Sequence, residues 1–537
     1  MGDNIIHSPF QSISVEFDGF TNMVDACLSK AKEHSENRKT DWMKCALTGE
    51  TFAFDSLDDL SRRIGSSLHR RGLRKGDIVI YMTVDIAKLP IFLIGVWRAN
   101  GIGRASYPED NADTLLARAF ESRCGWIYCE YAHAPLCLSV ARKIYWDVEV
   151  IVASREPVEG CTTIYELMED DGSQLPELDL TADETALIMC TSGTTGTSKG
   201  ATISHTALMW MATRIGSIPL FDDKTNIFFT KGTHISGVIA PFGGLLIGKS
   251  IVYLTYISKQ RIFDAIDTYK PGFIFGFPTF LLLLVHDPEA SRLDLSNLEI
   301  IGSGGAPVTP AVVNALMTIP SLKYVLNAYG LTECAPIISS FDFDQRDTMP
   351  DRPEACIGQL VPDSSAKFID VESGEVVGPR ENGELCIKCD GLFSTYYLNP
   401  EATEKAFDED GFFKTGDVGY YDENGYIFLV DRAKEIFKYF NNHIAPTEIE
   451  NIILDHPAIR EVCVIGIPDP DGGGHIPRAV CVPVDDSEVT TDDILEYTNE
   501  KLASYKHVRG GVYFVSELPK GKTGKVTRQL VEKLELE

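Results

Sequence analysis

The sequence predicts an α/β protein with more than one domain, and three observations support this. The chain has 537 residues, more than a single hydrophobic core usually contains. Strand-like and helix-like stretches alternate along most of its length, which is typical of largely parallel sheets. From Gly383 onward the pattern changes to short strands and turns. We therefore expect a large multi-subdomain body with parallel sheets, a small β-subdomain and an α+β C-terminal cap.

The alternation is clearest in the first third of the chain. "GDIVIYM" (76–82) is typical of a buried strand, and the helical stretch that follows should end near Gly101. "GWIYCE", "VEVIVAS" and "LEIIGSGG" predict further strands with helices between them. These segments would form the parallel sheets of the body.

A new unit is predicted after Asp431. Thr447 precedes Glu450 by three residues, which predicts a capping box and a helix that stops before Pro457. Strands and a second helix follow. The body should therefore cover residues 1–430, with the β-subdomain over about 340–430.

Composition excludes several classes of function. The net charge of −29 argues against general nucleic-acid binding, which depends on neutralising phosphates, but a local loop can still bind an anion in a cleft. Thirteen scattered cysteines predict reduced thiols; Cys386 and Cys389 fit C-x-x-C, yet on a strand they would face opposite ways. We recognise no signal peptide, membrane span or C-terminal peroxisomal tripeptide, and expect a cytoplasmic protein.

The most informative stretch is "TSGTTGTSKG" (191–200), which follows the apolar residues 185–190. Its glycines let backbone N–H groups approach a ligand closely, and its hydroxyls and Lys199 add donors. A flexible surface loop is the alternative, but such loops rarely follow a buried strand. The stretch therefore predicts phosphate binding.

A second stretch imitates a nucleotide-binding motif. "GGLLIGKS" (243–250) matches the Walker A pattern letter by letter, but its spacer is apolar and the residues after it are typical of a strand rather than a helix. We interpret it as a helix that ends at Gly248, with Lys249 in solvent.

Six motifs in a fixed order make the chain resemble the acyl-adenylate-forming superfamily, which includes acyl- and aryl-CoA ligases, beetle luciferases and peptide-synthetase adenylation domains. The chain is most similar to the 4-coumarate-CoA-ligase-like and luciferase-like branch. The likeness extends from about Asp41 to Lys525. The motifs are TSGTTGTSKG (191–200), GSGGAP (302–307), YGLTE (329–333), TGD (415–417), DRAKE (431–435) and PKGKTGK (519–525).

The resemblance implies activation of a carboxylic acid. The acid would react with ATP to give an acyl-adenylate and pyrophosphate, and the thiol of CoA would then attack this mixed anhydride. ATP and CoA would be co-substrates, Mg²⁺ the cofactor, and the protein a monomer or a weak homodimer. The alternatives are luciferase-like oxidation of the adenylate and a non-catalytic nucleotide-binding scaffold. The scaffold alternative is disfavoured because the chain retains the family's functional residues Lys199, Glu333, Asp417, Arg432 and Lys525.

The resemblance also implies residue roles in the phosphate half of the ATP site. Glu333 would bind Mg²⁺, and Thr332 would donate to the α-phosphate. Lys525 would stabilise the transition state of adenylation. The β- and γ-phosphates would contact the loop residues Thr191, Ser192, Gly193, Thr194, Thr195, Gly196 and Lys199.

The nucleoside half of the site is implied by the same resemblance. Asp417 would accept hydrogen bonds from both ribose hydroxyls, and Arg432 would assist near the ribose or phosphate. The remaining nucleotide-binding residues would be Gly304, Gly305, Ala306, Tyr329 and Gly330.

The likeness further implies that the cap, residues 435–537, is mobile. It would close on the body for adenylation and then rotate about a hinge at 431–434, with Lys434 as the hinge residue. Lys438 stands where the family places a lysine for thioester formation. Asn441 replaces a glycine that lines the pantetheine tunnel in relatives, so adenylation is expected to be ready and transfer to CoA slow.

The acyl pocket is expected to be small and apolar. His234 resembles the residue that gates this pocket in the family. No arginine or lysine is among the expected lining residues, which implies a fatty or aromatic acid. Ile235, at the position of the acid that pairs with an α-amino group, argues against an amino acid. The lining residues are His234, Ile235, Ser236, Gly304, Gly305, Ala306, Ala335 and Pro336.

Overall fold

The α/β fold class is confirmed by the structure, a computed structural model. It contains two large mixed sheets, a five-stranded antiparallel sheet and two small sheets near the C-terminal end. The residues it describes are 4–13, 19–37, 41–85, 87–191, 199–216, 218–306, 308–340, 356–440, 442–470, 472–485, 487–521, 526–534 and 536.

Strands and helices alternate up to residue 168, as the sequence predicts. The elements of this part are β1 (Ile6–His7), α1 (Met23–Glu36), β2 (Asp41–Cys45), β3 (Thr51–Ala53), α2 (Leu57–Arg70), β4 (Ile78–Met82), α3 (Leu89–Arg98), β5 (Ile102–Ala105), α4 (Ala112–Ser122), β6 (Trp126–Cys129), α5 (Ala134–Ala141), β7 (Glu149–Val152), β8 (Thr162–Thr163) and α6 (Ile164–Met168).

The alternation continues to residue 339. These elements are β9 (Thr185–Cys190), β10 (Gly200–Ser204), α7 (His205–Gly216), β11 (Asn226–Phe228), α8 (Ile235–Ile247), β12 (Ile251–Tyr253), α9 (Lys259–Tyr269), β13 (Phe273–Gly276), α10 (Pro278–Leu281), α11 (Leu283–His286), β14 (Ile300–Gly304), α12 (Pro310–Leu316), β15 (Tyr324–Leu331) and β16 (Cys334–Ser339).

Strands predominate between residues 359 and 444, and the C-terminal part is mixed. These elements are β17 (Gln359–Leu360), β18 (Ser364–Ile369), β19 (Gly383–Cys389), β20 (Thr395–Tyr396), α13 (Pro400–Ala406), β21 (Phe413–Tyr421), β22 (Ile427–Arg432), β23 (Phe437–Tyr439), β24 (Asn442–Ile444), α14 (Pro446–Leu454), β25 (Ile459–Pro468), β26 (His475–Pro483), α15 (Thr491–Lys501), β27 (Val512–Phe514) and α16 (Arg528–Val531).

The two large sheets place strand ends beside one another. The first has the order β20-β10-β9-β5-β4-β6-β7-β8, and it is parallel from β9 to β8. The second has the order β17-β16-β15-β14-β13-β11-β12-β2-β3, and it is parallel from β15 to β2. Ligands of α/β proteins usually bind outside the carboxyl ends of such strands.

One continuous hydrophobic core joins the two sheets through α3 and α8. Trp97 of α3 donates its indole N–H to the carbonyl of Ala186 on β9 at 2.9 Å. Its ring lies 5.3 Å from that of Phe242 on α8. On the other side, Trp42 of β2 donates to the carbonyl of Pro241 on α8 at 2.9 Å. These apolar helices are therefore buried between the sheets and hold them in a fixed relation.

The five-stranded sheet has the order β1-β18-β19-β21-β22, and each neighbouring pair is antiparallel. Strand β1 comes from the first residues of the chain, a pairing that the sequence did not indicate. The hairpin of β21 and β22 continues to Arg432, so this sheet leads directly into the C-terminal part.

The C-terminal part has its own core, but one prediction about it is wrong. The helix α14 does end before Pro457, as expected; however, its N-cap is Ala445, without a side-chain hydrogen bond. The carboxylate of Asp431 accepts from the amide of Thr447 at 2.8 Å instead. Glu450 does not take part in a capping box, because its carboxylate accepts from the amide of Val464 at 2.7 Å. The first turn of α14 is therefore capped by the distant residue Asp431 rather than by a local capping box.

No helix within the described ranges combines the length and apolar character that crossing a membrane requires.

Candidate functional site

The loop predicted to bind phosphate joins two antiparallel strands at the carboxyl end of β9. Thr191 donates its amide to the carbonyl of Lys199 at 2.9 Å, and the amide of Lys199 donates to the Thr191 hydroxyl at 3.3 Å. Strand β9 is almost wholly buried, as predicted. Thr191 and Lys199 are therefore hydrogen-bonded to each other at the base of the loop. Five further residues predicted to bind phosphate lie outside the described residues: Ser192, Gly193, Thr194, Thr195 and Gly196.

Lys199 and Glu333 both contact Tyr396, the first through its ring and the second through its hydroxyl. The Lys199 ammonium lies 3.9 Å from the centre of the Tyr396 ring, a cation–π contact. The hydroxyl of the same tyrosine donates to the Glu333 carboxylate at 2.7 Å. The loop base and the YGLTE motif, predicted separately, therefore lie together. Tyr396 was missed because it belongs to no motif; only its pairing through β20 to β10 places it here.

Glu333 is a buried carboxylate with little compensation from the protein. It is 8% exposed, and its backbone carbonyl accepts from the amide of Phe393 at 2.8 Å. Burial raises the pKa of its carboxyl above the usual range, while the Tyr396 hydroxyl acts in the opposite direction. A cation beside it would offset this desolvation.

The surroundings of Glu333 fit Mg²⁺ better than a metal held by protein ligands alone. Within the described ranges, no group of three or more His, Cys, Asp and Glu side chains could hold a metal ion. Mg²⁺ commonly takes one or two carboxylates and completes its shell with substrate phosphates and water. A single buried carboxylate at the base of a phosphate-type loop matches that pattern.

Thr332 links the same turn to the end of β9. Its hydroxyl donates to the carbonyl of Cys190 at 3.4 Å. The turn between β15 and β16 therefore lies directly beside the start of the loop. This arrangement brings Thr332 and Glu333 to the edge where Thr191 emerges.

Asp417 is held in place by two partners. It lies on β21 directly opposite Arg432 on β22, and Arg432 Nε is 2.8 Å from Asp417 Oδ1. The hydroxyl of Tyr329 donates to the other carboxylate oxygen. Asp417 is only 5% exposed. The structure thus joins the YGLTE motif to the TGD and DRAKE motifs through one carboxylate.

Three glycines allow close approach of backbones near the predicted acyl and adenine segment. A Cβ on Gly304 would lie 2.3 Å from the carbonyl oxygen of Ala328, and one on Gly330 would lie 2.8 Å from the Cα of Ala335. Gly305 has φ +75°, and a Cβ there would lie 2.6 Å from the Phe277 ring. Larger residues at these positions would displace the walls of the site.

His234 and Phe277 form an aromatic corner at this segment. Their rings meet edge to face with centroids 5.5 Å apart. His234 is the N-cap of α8, and its Nδ1 lies 2.9 Å from the Ser236 hydroxyl. Phe277 was missed by the sequence analysis, although an aromatic residue directly after a buried strand, in "FGFPTF", was a usable signal. The corner narrows the space beside Gly305.

The other predicted acyl-pocket residues lie on the same elements. Ile235 is buried in the main core at the start of α8. Ala335 and Pro336 lie on β16, where Pro336 is buried and Ala335 is half-buried. Ala306 is half-buried directly after Gly305.

The predicted CoA and hinge residues lie elsewhere. Lys438 of β23 forms an ion pair with Glu372, an exposed residue after β18, outside the nucleotide site. Lys434 is exposed on a turn in which Arg432 O accepts from the amides of Glu435 and Ile436 at 2.9 and 3.2 Å. Lys525 and Asn441 lie outside the described residues.

The Walker-like stretch is structural. Helix α8 ends with Gly248 as C-cap in the left-handed conformation, φ 68°, and β12 follows, both as predicted. Lys249 is not free in solvent as expected, because its ammonium pairs with Asp222 at 2.7 Å. The stretch therefore contributes no second nucleotide site.

Comparison with known proteins agrees with the motifs. The sequence profile of the AMP-binding enzyme family matches residues 31–397, and that of the AMP-binding enzyme C-terminal domain matches 448–525. 4-Coumarate-CoA ligase 1 of Narcissus pseudonarcissus is 28% identical over 494 residues, which cover 90% of this chain and 88% of that protein. Luciferin 4-monooxygenase of Luciola mingrelica is 29% identical over 508 residues, with 91% and 90% covered.

The fold has solved counterparts as well. ATP-bound MatB from Rhodopseudomonas palustris has a TM-score of 0.82 at 24% identity, and the superposition covers 95% of this chain and 98% of that chain. The predicted resemblance to CoA ligases and luciferases is thereby confirmed. The chain belongs to the family of AMP-binding enzymes.

Proposed function

We propose that the protein activates an apolar carboxylic acid with ATP, giving an acyl-adenylate and pyrophosphate, and then transfers the acyl group to CoA. The observation that carries this proposal is the pair of buried carboxylates at the two ends of the YGLTE motif: Glu333 is its last residue, and Asp417 accepts from its first residue, Tyr329. One is suited to a metal–phosphate centre and the other to a pair of hydroxyls. The relatives named above support it, since 4-coumarate-CoA ligase joins an acid to CoA by name.

Adenylation brings an anionic acid to an anionic phosphate, so charge must be neutralised. Lys199 and the loop 191–199 would hold the outer phosphates, and Thr332 would donate to the α-phosphate. Asp417 would accept the ribose hydroxyls and orient the nucleotide. Mg²⁺, held by Glu333, would supply further neutralisation of phosphate charge. Lys525, which the family resemblance places at the reacting atoms, would stabilise the transition state.

The acyl site favours an aryl acid within the broader class of fatty and aromatic acids. His234 and Phe277 present ring edges and faces to the space beside Gly305, and aromatic ligands gain from such offset contacts. The hydroxyl of Ser236, 2.9 Å from His234 Nδ1, adds a polar group beside this corner. The relatives named above act on coumarate and luciferin by name, which agrees with a ring-containing acid.

The two half-reactions would use different positions of the C-terminal part. We infer a body of residues 1–430, a hinge at 431–434 around Lys434, and a cap of 435–537 that carries Lys525. The ion pair of Lys438 with Glu372 would break when Lys438 turns toward the thioester. Asn441 would narrow the pantetheine tunnel, so thioester formation would be the slower half.

A panel of aromatic and fatty acids in ATP–pyrophosphate exchange, repeated with CoA, tests the proposal. We expect acid-dependent exchange, and thioester formation when CoA is added. Lys525→Ala should abolish exchange but leave transfer from supplied acyl-adenylate largely intact, and Asn441→Gly should raise only the thioester rate. If no acid supported exchange, the proposed adenylation activity would be rejected in favour of a non-catalytic nucleotide-binding scaffold. Exchange without thioester, accompanied by oxygen-dependent consumption of the adenylate, would favour the luciferase-like alternative.

A further inference from the structure

Two cysteine thiols lie in contact directly beside the metal-side carboxylate. Cys334 follows Glu333 in the chain and begins β16, whereas Cys389 ends β19. Their sulfurs are 3.4 Å apart, and both residues are reduced. Cys386, the other half of the C-x-x-C motif, is buried on the same strand and donates to the carbonyl of Glu384 instead. The thiol pair in this structure is therefore not the one suggested by the sequence spacing.

We propose that Cys334 and Cys389 form a reversible disulfide when the protein meets hydrogen peroxide, and that this link switches off the adenylation site. The two thiols differ in access, since Cys334 is fully buried and Cys389 is half-buried. Cys389 is thus the thiol that peroxide reaches first, and Cys334 is the resolving partner already in contact.

The reaction balances with peroxide as the oxidant. The Cys389 sulfur attacks one oxygen of hydrogen peroxide, the O–O bond breaks, and the departing hydroxide takes a proton to become water. The Cys334 sulfur then attacks the resulting sulfenic acid, the S–S bond forms, and the S–O bond breaks with loss of a second water. Two thiols lose two protons and two electrons, and one peroxide becomes two waters.

The link would distort the surroundings of Glu333. A disulfide needs sulfurs about 2.05 Å apart, so the two sulfurs must approach by more than an ångström from the observed 3.4 Å, and the link would then hold the end of β19 against the start of β16. The segment after Cys389 carries Phe393 and Tyr396, which both hydrogen-bond to Glu333. Drawing this segment toward Cys334 would therefore displace the Tyr396 hydroxyl, which donates to the carboxylate, and the Phe393 amide, which donates to the backbone carbonyl of Glu333. Misplacement on this scale typically lowers a rate by about tenfold to hundredfold.

The test combines peptide mapping with activity. Full-length protein is treated with hydrogen peroxide, free thiols are alkylated, and a non-reducing digest is analysed by mass spectrometry. We expect a linked peptide pair containing Cys334 and Cys389, loss of pyrophosphate exchange by about tenfold or more, and recovery of both with a dithiol reductant. Mapping and the binding of a fluorescent ATP analogue do not depend on turnover, so they remain informative if the proposed reaction is wrong.

Matched variants decide whether this pair is responsible. Cys389→Ser and, separately, Cys334→Ser should prevent the link and keep activity through peroxide treatment. Cys386→Ser, three residues away on the same strand, should lose activity as the wild type does. The fully buried thiols of Cys129 and Cys137, which also interact, should stay reduced because neither is accessible.

Three results would overturn the proposal. The first is that Cys334 and Cys389 both remain open to alkylation after peroxide treatment. The second is a link at Cys129 and Cys137 in place of the expected one. The third is a Cys334–Cys389 link that leaves both exchange and ATP-analogue binding unchanged.

Discussion

Two buried carboxylates at the two ends of the YGLTE motif have different surroundings. Asp417, on the β21–β22 hairpin, is matched by the guanidinium of Arg432 and the hydroxyl of Tyr329. Glu333, in the turn between β15 and β16, has the hydroxyl of Tyr396 and its own backbone amide, and burial raises the pKa of its carboxyl. Both are less than a tenth exposed, so the difference comes from their partners rather than from depth.

The difference suits the two ligands that we propose for this site, a pair of ribose hydroxyls and a metal ion. A carboxylate that is already paired and oriented can accept hydroxyl groups without rearrangement, since its charge is compensated before the ligand arrives. A carboxylate that is buried with few donors destabilises the folded protein until a cation binds. Under the proposed function, the ribose-binding carboxylate would be preorganised, whereas burial of the metal-binding carboxylate would carry a cost that cation binding removes.

The largest effect is expected from Asp417→Ala. It removes the carboxylate that we propose as the acceptor of the ribose hydroxyls, which should cost roughly 2–4 kcal/mol, or roughly a thirty- to thousandfold loss of ATP affinity. Calorimetric titration with ATP in the absence of acid measures this. Glu423→Ala changes an exposed carboxylate on the turn of the same hairpin, paired with Arg380, and should leave affinity within about twofold. An unchanged affinity in Asp417→Ala would remove the ribose role.

Glu333→Gln should lower the exchange rate by about a hundredfold, because the proposed metal ligand loses its charge while its size is kept. The ligand-free variant should also melt higher than the wild type, since a buried, poorly compensated charge is gone. Asp417→Asn should melt lower, because it breaks a paired charge. Thermal melts without Mg²⁺ compare the two directly. If both variants shifted in the same direction, the contrast between the two carboxylates would be lost.

Tyr396→Phe should have a smaller effect on the metal side. The ring remains under Lys199, but the hydroxyl that donates to Glu333 is lost. A hydrogen bond to a charged group is worth about 1.5–3 kcal/mol when it is removed, and bound Mg²⁺ should compensate part of this, leaving roughly a three- to tenfold fall in exchange rate. The Mg²⁺ dependence of exchange is the measurement. Tyr397→Phe, beside it on the chain, is the control and should behave as the wild type.

The smallest effect is a pH dependence of stability. The pKa of Glu333 is raised in the folded state, so the folded protein binds the proton more tightly than the unfolded chain. Its contribution is fully present below the unfolded pKa, about 4.3, and is lost as pH rises through the folded pKa. The melting difference between Glu333→Gln and wild type should widen as pH rises and shrink when Mg²⁺ is added. A gap that stays constant with pH would contradict the uncompensated charge.

Local patterns predicted much of the molecule. The strand at 78–82, the buried strand before the phosphate-type loop and the left-handed end of α8 at Gly248 all appear where the sequence places them. Each depends on neighbouring residues alone, through apolar periodicity or the freedom of glycine at positive φ. The family resemblance implied that Asp417 and Arg432 would act near the same ribose, and the structure pairs the two side chains across the β21–β22 hairpin.

By itself, the sequence determined the fold class, the order of the motifs and the types of residue available for chemistry. Only the tertiary structure decided which of them meet. Tyr396 donates to Glu333, which lies 63 positions away in the chain. The Cys389 sulfur contacts that of Cys334 rather than that of Cys386. Asp431 accepts from the amide of Thr447 at the start of α14, where a capping box formed by Thr447 was expected. Such contacts depend on how separate sheets pack and in which register, and no local pattern carries that information because packing is set by the whole core at once.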